Sequence, residues 1–124
     1  MKNYRELRVW ERAHKSTLDI YAVTTQCPRH ELYGLTSQMR RCASSIGANI
    51  AEGCGKRGNN EFQRFLQIAS GSASELDYRL LLAGDLGFLS AEHYANAMEG
   101  LSELRGMLTS LLQKVDSERF MAKY

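Results

Sequence analysis

Residues 61–83 read EFQRFLQIASGSASELDYRLLLA, and apolar side chains recur in this segment every three or four positions. The side chains that follow this spacing are Phe62, Phe65, Leu66, Ala69, Ala73, Leu76 and Leu80. Such a period indicates an amphipathic α-helix, because the side chains of a strand alternate. Ile68, Leu81 and Leu82 lie outside this stripe, and a helix that is apolar on two sides is usually buried on two sides. We therefore expect this helix to face either a wide core or a second subunit.

Three further segments have the same helical period. We predict helices over about residues 8–25, 35–54, 61–83 and 91–115, separated by a proline and several glycines. Asn60 and Ser90 are the predicted N-caps of the last two helices. The predicted core stripe of the first helix is Trp10, Ala13, Thr17, Ile20 and Thr24. Four helices with short connections are typical of an all-α, antiparallel up-down-up-down four-helix bundle.

The composition is that of one globular domain covering residues 1–124. Hydrophobic residues make up 44% and charged residues 24% of the 124 positions, which excludes a disordered chain. The longest apolar runs are four residues long, so we expect no membrane span, and the N-terminal sequence predicts no signal peptide. The expected location is the cytoplasm. The three cysteines, Cys27, Cys42 and Cys54, include no C-x-x-C pair, so we expect free thiols and no metal site.

The motifs that define common enzyme sites are incomplete in this sequence. Glu11 and His14 form an E-x-x-H motif, but a di-iron bundle needs two such motifs. Gly53, Gly55 and Gly58 match G-x-G-x-x-G, but they end a predicted helix, whereas a dinucleotide site follows a strand. We therefore expect no catalytic residues and no cofactor. A small enzyme, with residues paired across helices, stays the least favoured of three interpretations.

A stripe of polar side chains lies along one face of the second helix. Its members are Gln38, Arg41, Ser45, Asn49 and Glu52, and Glu75 of the third helix is predicted to join them. One interpretation is an ordinary solvated face. The other is a structural hydrogen-bond network within the bundle or between subunits, because most of these groups are uncharged and each needs a partner when buried.

Positive charge is concentrated in the first half of the chain. Residues 1–62 contain ten Lys and Arg against six Asp and Glu, a net charge of +4, whereas residues 63–124 have a net charge of −2. The predicted nucleic-acid-binding residues are Arg5, Arg8, Arg12, Lys15, Arg40, Lys56 and Arg57. Such residues bind phosphates through counterion release. The alternative is that they provide solubility and form salt bridges with nearby glutamates.

Several short strings resemble the four-helix-bundle family of the 23S rRNA intervening sequence protein. They include LRVW at 7–10, YGLTSQ at 33–38, NIAEG at 49–53 and FLQIA at 65–69. The similarity extends over roughly residues 5–90 with the family's spacing. This chain departs from the family at Cys27, where an aromatic residue is common, and at Gly47, where proline is common.

The resemblance implies a homopentameric ring with a central channel and no known enzymatic activity. A similar branch is the accessory variability determinant of diversity-generating retroelements, which binds nucleic acid and a reverse transcriptase. We therefore expect a non-catalytic homo-oligomer that binds structured RNA or another nucleic acid. The alternative is a protein-interaction scaffold, or an accessory subunit for a reverse transcriptase or other polymerase.

Overall fold

A computed structural model describes residues 3–123, with side chains placed for residues 3–118. Within residues 3–123 the chain forms four α-helices and no β-strand, which confirms the all-α prediction. The helices are α1 (Arg8–Val23), α2 (Ser37–Cys54), α3 (Gly58–Asp85) and α4 (Ala91–Lys123). Short 3-10 helices lie at Tyr4–Glu6, Thr24–Gln26 and Arg29–Glu31, and a π-helical turn at Leu32–Thr36 leads into α2.

The helix boundaries differ from the predicted ones for local reasons. α1 ends at Val23, two residues early, because the chain tightens into a 3-10 turn there. α2 begins at Ser37 rather than at residue 35, because Leu35 and Thr36 belong to the preceding π-helical turn, which has non-helical φ −111° and ψ −113° at Gly34. α3 begins at Gly58, so Arg57 and not Asn60 occupies its N-cap position. α4 continues to Lys123, well beyond the predicted end at residue 115.

A glycine turn connects α3 to α4. Gly87 has φ 76°, a left-handed conformation that side-chain-bearing residues rarely adopt. Its N–H donates to the backbone oxygen of Gly84 at 3.0 Å, and the N–H of Phe88 donates to that of Ala83 at 2.9 Å. This pair of bonds is the Schellman motif that closes a helix C-terminus. Ser90 then caps α4, as predicted, since its hydroxyl oxygen accepts the N–H of His93 at 3.2 Å.

Each helix contacts the next one along the chain, and α1 also contacts α4. Side-chain hydrogen bonds between α2 and α3 join Gln38 to Arg79, Cys42 to Glu75, and Ser45 to Ser72. Along this series the residue number falls on α3 as it rises on α2. The hydrogen-bonded pairs therefore fix the register of α2 against α3.

The core lies between the four helices. Its largest fully buried side chains include Met39, Ile46, Ile50, Leu66, Leu76, Leu80, Leu101, Leu104 and Leu108. The predicted stripe of α1 was partly wrong. α1 buries Val9, Ala13, Ser16, Ile20 and Val23, whereas Trp10 and Thr17 are only half-buried. Within the described residues, no helix is both long enough and apolar enough to cross a membrane.

Candidate nucleic-acid interface and the polar seam

Two of the seven predicted phosphate-binding residues connect helices. Arg12 Nε donates to the backbone oxygen of Gly100 on α4 at 3.3 Å, and its Nη2 lies 3.9 Å from the Glu103 carboxylate. The Arg12 side chain is only 16% exposed. Arg40 Nε on α2 donates to Thr24 Oγ1, just beyond α1, at 2.9 Å. A phosphate would have to compete with these bonds. The main role of both arginines is therefore to connect elements of the fold.

The other five predicted residues are exposed to solvent. They are Arg5, Arg8, Lys15, Lys56 and Arg57. Within residues 3–118, none of these side chains forms a hydrogen bond or an ion pair. The Arg5 guanidinium lies 4.9 Å from the ring centre of Tyr4, and the Lys56 ammonium lies 5.6 Å from that of Phe65. Each ring covers one side of its cation, so N–H groups on the other side can bind water or phosphate.

Four of these five cations lie at the same end of the molecule. A Cβ at Gly47 would lie 3.5 Å from Trp10 Nε1, which places the start of α1 beside the second half of α2. The 3-10 helix before α1 also contacts α2. Arg5 and Arg8 therefore lie near the C-terminal turn of α2, which leads directly into the Lys56–Arg57 turn. Lys15 lies further along α1.

The same end also carries negative charge. Glu6 and Glu52 are exposed, and neither side chain has a hydrogen-bond or ion-pair partner among residues 3–118. Glu61, in the first turn of α3, pairs with Arg64, and Glu118 on α4 accepts a hydrogen bond from Asn59, so acidic side chains also lie beside the cations at this end. We call the four cations, Arg5, Arg8, Lys56 and Arg57, the basic end patch.

The predicted polar network corresponds in part to a hydrogen-bonded seam between α2 and α3. Arg79 Nη1 donates to Gln38 Oε1 at 2.5 Å, and Arg79 Nε donates to Glu75 Oε2 at 3.1 Å. The same carboxylate oxygen accepts the S–H of the buried Cys42 at 2.9 Å. Glu75 thus joins a thiol on α2 to a guanidinium on its own helix.

Two serines and an asparagine extend the seam. The hydroxyl oxygens of Ser45 and Ser72 lie 3.0 Å apart. Asn49 Nδ2 donates to Ser45 Oγ at 3.0 Å and to the backbone oxygen of Ser45 at 2.8 Å. These short side chains let α2 and α3 approach closely while keeping their polar groups paired.

Two predicted members lie outside the polar seam, and three participants were missed. Arg41 and Glu52 are exposed, and their side chains have no hydrogen-bond or ion-pair partner within residues 3–118. The missed participants are Cys42, Ser72 and Arg79. The spacing of Glu75 and Arg79, four residues apart on one helix, was a signal for the third.

Burial keeps the thiols of the seam and the core protonated. Burial first, and then the neighbouring Glu75 carboxylate, raise the pKa of Cys42 to about 11. Burial also raises the pKa of Cys27. Because the thiolate is the reactive form, neither group suits nucleophilic catalysis. Among the described residues, no group of three or more His, Cys, Asp or Glu side chains could hold a metal ion.

We expect Glu75 to stabilise the fold at neutral pH and to lose this effect in acid. Hydrogen bonds from Cys42 and Arg79 lower the pKa of Glu75 below its ordinary 4.5. Its contribution is therefore fully present above that value, and it declines as the pH falls through the lowered folded-state pKa. The measurement compares the urea midpoints of the parent protein and Glu75→Gln at about pH 7 and about pH 3. The difference should shrink at the lower pH, with Glu52→Gln as the exposed control; an equal difference at both pH values would contradict this assignment.

The outer face of α3 exposes apolar side chains beside one ion pair within the helix, Glu75–Arg79. Ile68, Tyr78 and Leu81 are 41%, 59% and 43% exposed, and Gly71 lies among them with open space where a Cβ would project. The charged residues of α3 between positions 65 and 84 are Glu75, Asp77 and Arg79, and all three form ion pairs within the chain. We call Ile68, Gly71, Tyr78 and Leu81 the outer α3 face.

The described molecule is thus a four-helix all-α protein with an α2–α3 polar seam and a basic patch at one end. Its sequence matches the family model of the 23S rRNA-intervening sequence protein over residues 5–110, and the chain belongs to that family. Comparison with curated proteins gave no match.

Among solved structures, the fold is similar to that of a protein of unknown function from the S23 ribosomal protein family of Bacteroides thetaiotaomicron VPI-5482. The TM-score is 0.78 at 24% sequence identity, and the match covers 85% of this chain and 95% of the other. At this identity the similarity supports the fold alone.

Proposed function

We propose that this protein is a non-catalytic, cytoplasmic homo-oligomer that binds structured RNA or another nucleic acid through exposed cations. The observation that carries the proposal is the set of five cations without intramolecular ion pairs, four of which form the basic end patch. These cations can bind phosphates without first breaking a hydrogen bond or an ion pair of the protein, and each one releases counterions from the nucleic acid. Membership of a family named for an rRNA segment supports the same choice of ligand.

The proposed assembly is a ring of antiparallel up-down-up-down bundles, with five copies as the family resemblance implies. The falling residue numbers of the α2–α3 hydrogen-bonded pairs support this chain direction. The outer α3 face supports a subunit contact, because partly exposed apolar side chains around a glycine favour close helix packing. A ring would repeat the basic end patch in every subunit. Its modest positive charge would then add up over one surface.

We expect the variant Arg8→Ala/Lys15→Ala to bind a labelled RNA hairpin with a weaker salt dependence than the parent protein. Each lost phosphate contact lowers the slope of log Kobs against log salt by about 0.7–0.9, so the double change should lower it by about 1.5. The control, Arg64→Ala/Arg105→Ala, also removes two cations, but these already pair with Glu61 and Asp77. Its slope should change less.

The same samples test assembly by light scattering. No RNA binding by the parent protein at low salt would overturn the nucleic-acid proposal. A monomeric mass would overturn the ring and leave RNA binding by single subunits to be judged from the titration. Equal slopes for both double variants would remove Arg8 and Lys15 from the interface.

A protein-interaction scaffold, for example an accessory subunit of a reverse transcriptase or other polymerase, is the second candidate. An open groove of about 750 Å³ between α1 and α4 favours it. Leu7, Val9, Met107 and Leu111 give this groove apolar walls. Binding there would depend on apolar contact, so salt would weaken it little.

A further inference from the structure

One buried hydroxyl in the core has no partner. Ser16 on α1 is 6% exposed, and its Oγ makes no hydrogen bond with any described group. A buried polar group without a partner is destabilising, so native proteins rarely keep one unless water or a ligand satisfies it. Arg12 and Thr17, its neighbours on α1, bond to other elements and leave the Ser16 hydroxyl unpaired.

Ser16 lines a small recess between α1, α3 and α4. The recess has a volume of about 10 Å³ and is closed on its apolar sides by Ile20, Leu76 and Leu101. This volume is close to the minimum that holds one water-sized group. Asp19 and Ala97 also line the recess, and both line a larger cleft at the surface as well. The recess that holds the unpaired hydroxyl therefore shares two wall residues with an open cleft.

The surface cleft, of about 280 Å³, lies between the end of α1 and the start of α4. Its lining contains one carboxylate, Asp19, and no lysine or arginine. The lining also contains the polar side chains of Gln26, His93 and Asn96. Its apolar part consists of Ala22, Val23 and Ala97. His93 Nδ1 lies 2.5 Å from Ser90 Oγ, so one ring nitrogen is already engaged. A negative charge, an unused hydroxyl and a short apolar wall together favour a small organic cation over an anion.

We propose that this cleft binds a small primary amine. The ammonium group donates hydrogen bonds to the Asp19 carboxylate and to Ser16 Oγ at the junction of cleft and recess. The alkyl part lies in the cleft against Val23 and Ala97. An ammonium group is about the size of a water molecule, which matches the recess, and its charge is balanced by Asp19. This site lies on the α1–α4 side of the end opposite the basic end patch, and it does not depend on nucleic-acid binding.

The test is an NMR titration of ¹⁵N-labelled full-length protein with n-butylammonium chloride, with 1-butanol and sodium butyrate as neutral and anionic analogues. We expect saturable shifts at residues 16–26 and 93–97 with butylammonium alone. Ser16→Ala and Asp19→Asn should each weaken binding about tenfold, the effect of losing one hydrogen bond to a charged group. Glu52→Gln, which removes a distant exposed carboxylate, should bind like the parent protein.

Ser16→Ala also separates loss of the site from loss of the fold. Because the hydroxyl has no partner in the free protein, this change should not lower the urea midpoint. Saturable binding of 1-butanol with the same affinity would overturn the amine site, and so would butylammonium binding that survives both substitutions. The absence of any saturable shift would overturn it as well and would leave the recess to a single water molecule.

Discussion

Leu76→Ala is expected to lower the free energy of unfolding by about 2–5 kcal/mol, the range for truncating a fully buried leucine. Leu76 is 0% exposed and lies near the middle of α3. The loss has two parts: the transfer of fewer apolar atoms out of water, and the cavity left in a core that relaxes only in part. The second part should be large here, because Leu76 already borders the recess beside Ser16, so truncation enlarges an existing void.

Urea denaturation followed by circular dichroism measures this loss as a shift in midpoint at unchanged slope. Leu18→Ala is the matched control, since Leu18 is 57% exposed and the chemical change is the same. Its effect should stay within about 0.5 kcal/mol, as for most surface substitutions. Both variants need the same protein concentration, because the stability of an oligomer depends on it. Equal losses for the two leucines would contradict the placement of α3 in the core.

Periodicity predicted the helices well because burial follows the same period. The buried side chains of α3 are those of its predicted stripe, with Ala83 added at the end. For α1 the same reasoning selected the wrong positions in part. Its residues Val9, Ser16 and Val23 have the same spacing as the predicted Trp10 and Thr17, one position away. Hydrophobicity favours tryptophan over serine as a core residue, whereas the structure buries Ser16 against the recess.

Which polar side chains of α2 join the seam depends on differences in their angular position around the helix that are too small for a sequence pattern to resolve. At ~100° per residue, Gln38, Ser45 and Asn49 lie a few tens of degrees nearer to α3 than Arg41 and Glu52 do. The first three reach partners and the last two do not. The polar stripe was visible in the sequence, but which of its members face α3 depends on how α2 is oriented in the bundle.

The predicted phosphate-binding cations of α1 differ in whether they are bonded within the chain, and the sequence could not show this either. Arg8, Arg12 and Lys15 form one stripe along α1 in the sequence. Arg12 alone reaches a backbone oxygen on α4, 88 residues away in sequence. Gly100 makes room for this contact, because a Cβ at position 100 would collide with the Arg12 guanidinium. Such a long-range fit between an arginine and a glycine leaves no local pattern that could be recognised beforehand.

Two identical glycine-to-alanine changes should have opposite effects on the free energy of unfolding. A Cβ at Gly53 would lie 2.9 Å from Phe65 Cβ and 3.1 Å from Phe62 Cδ1. Phe65 Cβ is fixed to the backbone of α3, so Gly53→Ala has to push α2 and α3 apart. Overpacking of this kind is destabilising by about 1–3 kcal/mol, more than alanine gains in helix propensity.

Gly71→Ala should instead stabilise the isolated subunit by about 0.5–1 kcal/mol, because a Cβ there meets no atom within 4 Å and glycine is a poor helix former. Both variants are measured by urea denaturation at one low protein concentration, and light scattering then follows the mass of Gly71→Ala as the concentration rises.

If the outer α3 face is a subunit contact, the alanine that strengthens the helix should weaken assembly, since it fills the space that a neighbouring helix would use. A Gly71→Ala protein that is more stable and assembles like the parent protein would leave the glycine without a role at an interface. Gly53→Ala without loss of stability would contradict the close approach of α2 and α3 at their connecting turn.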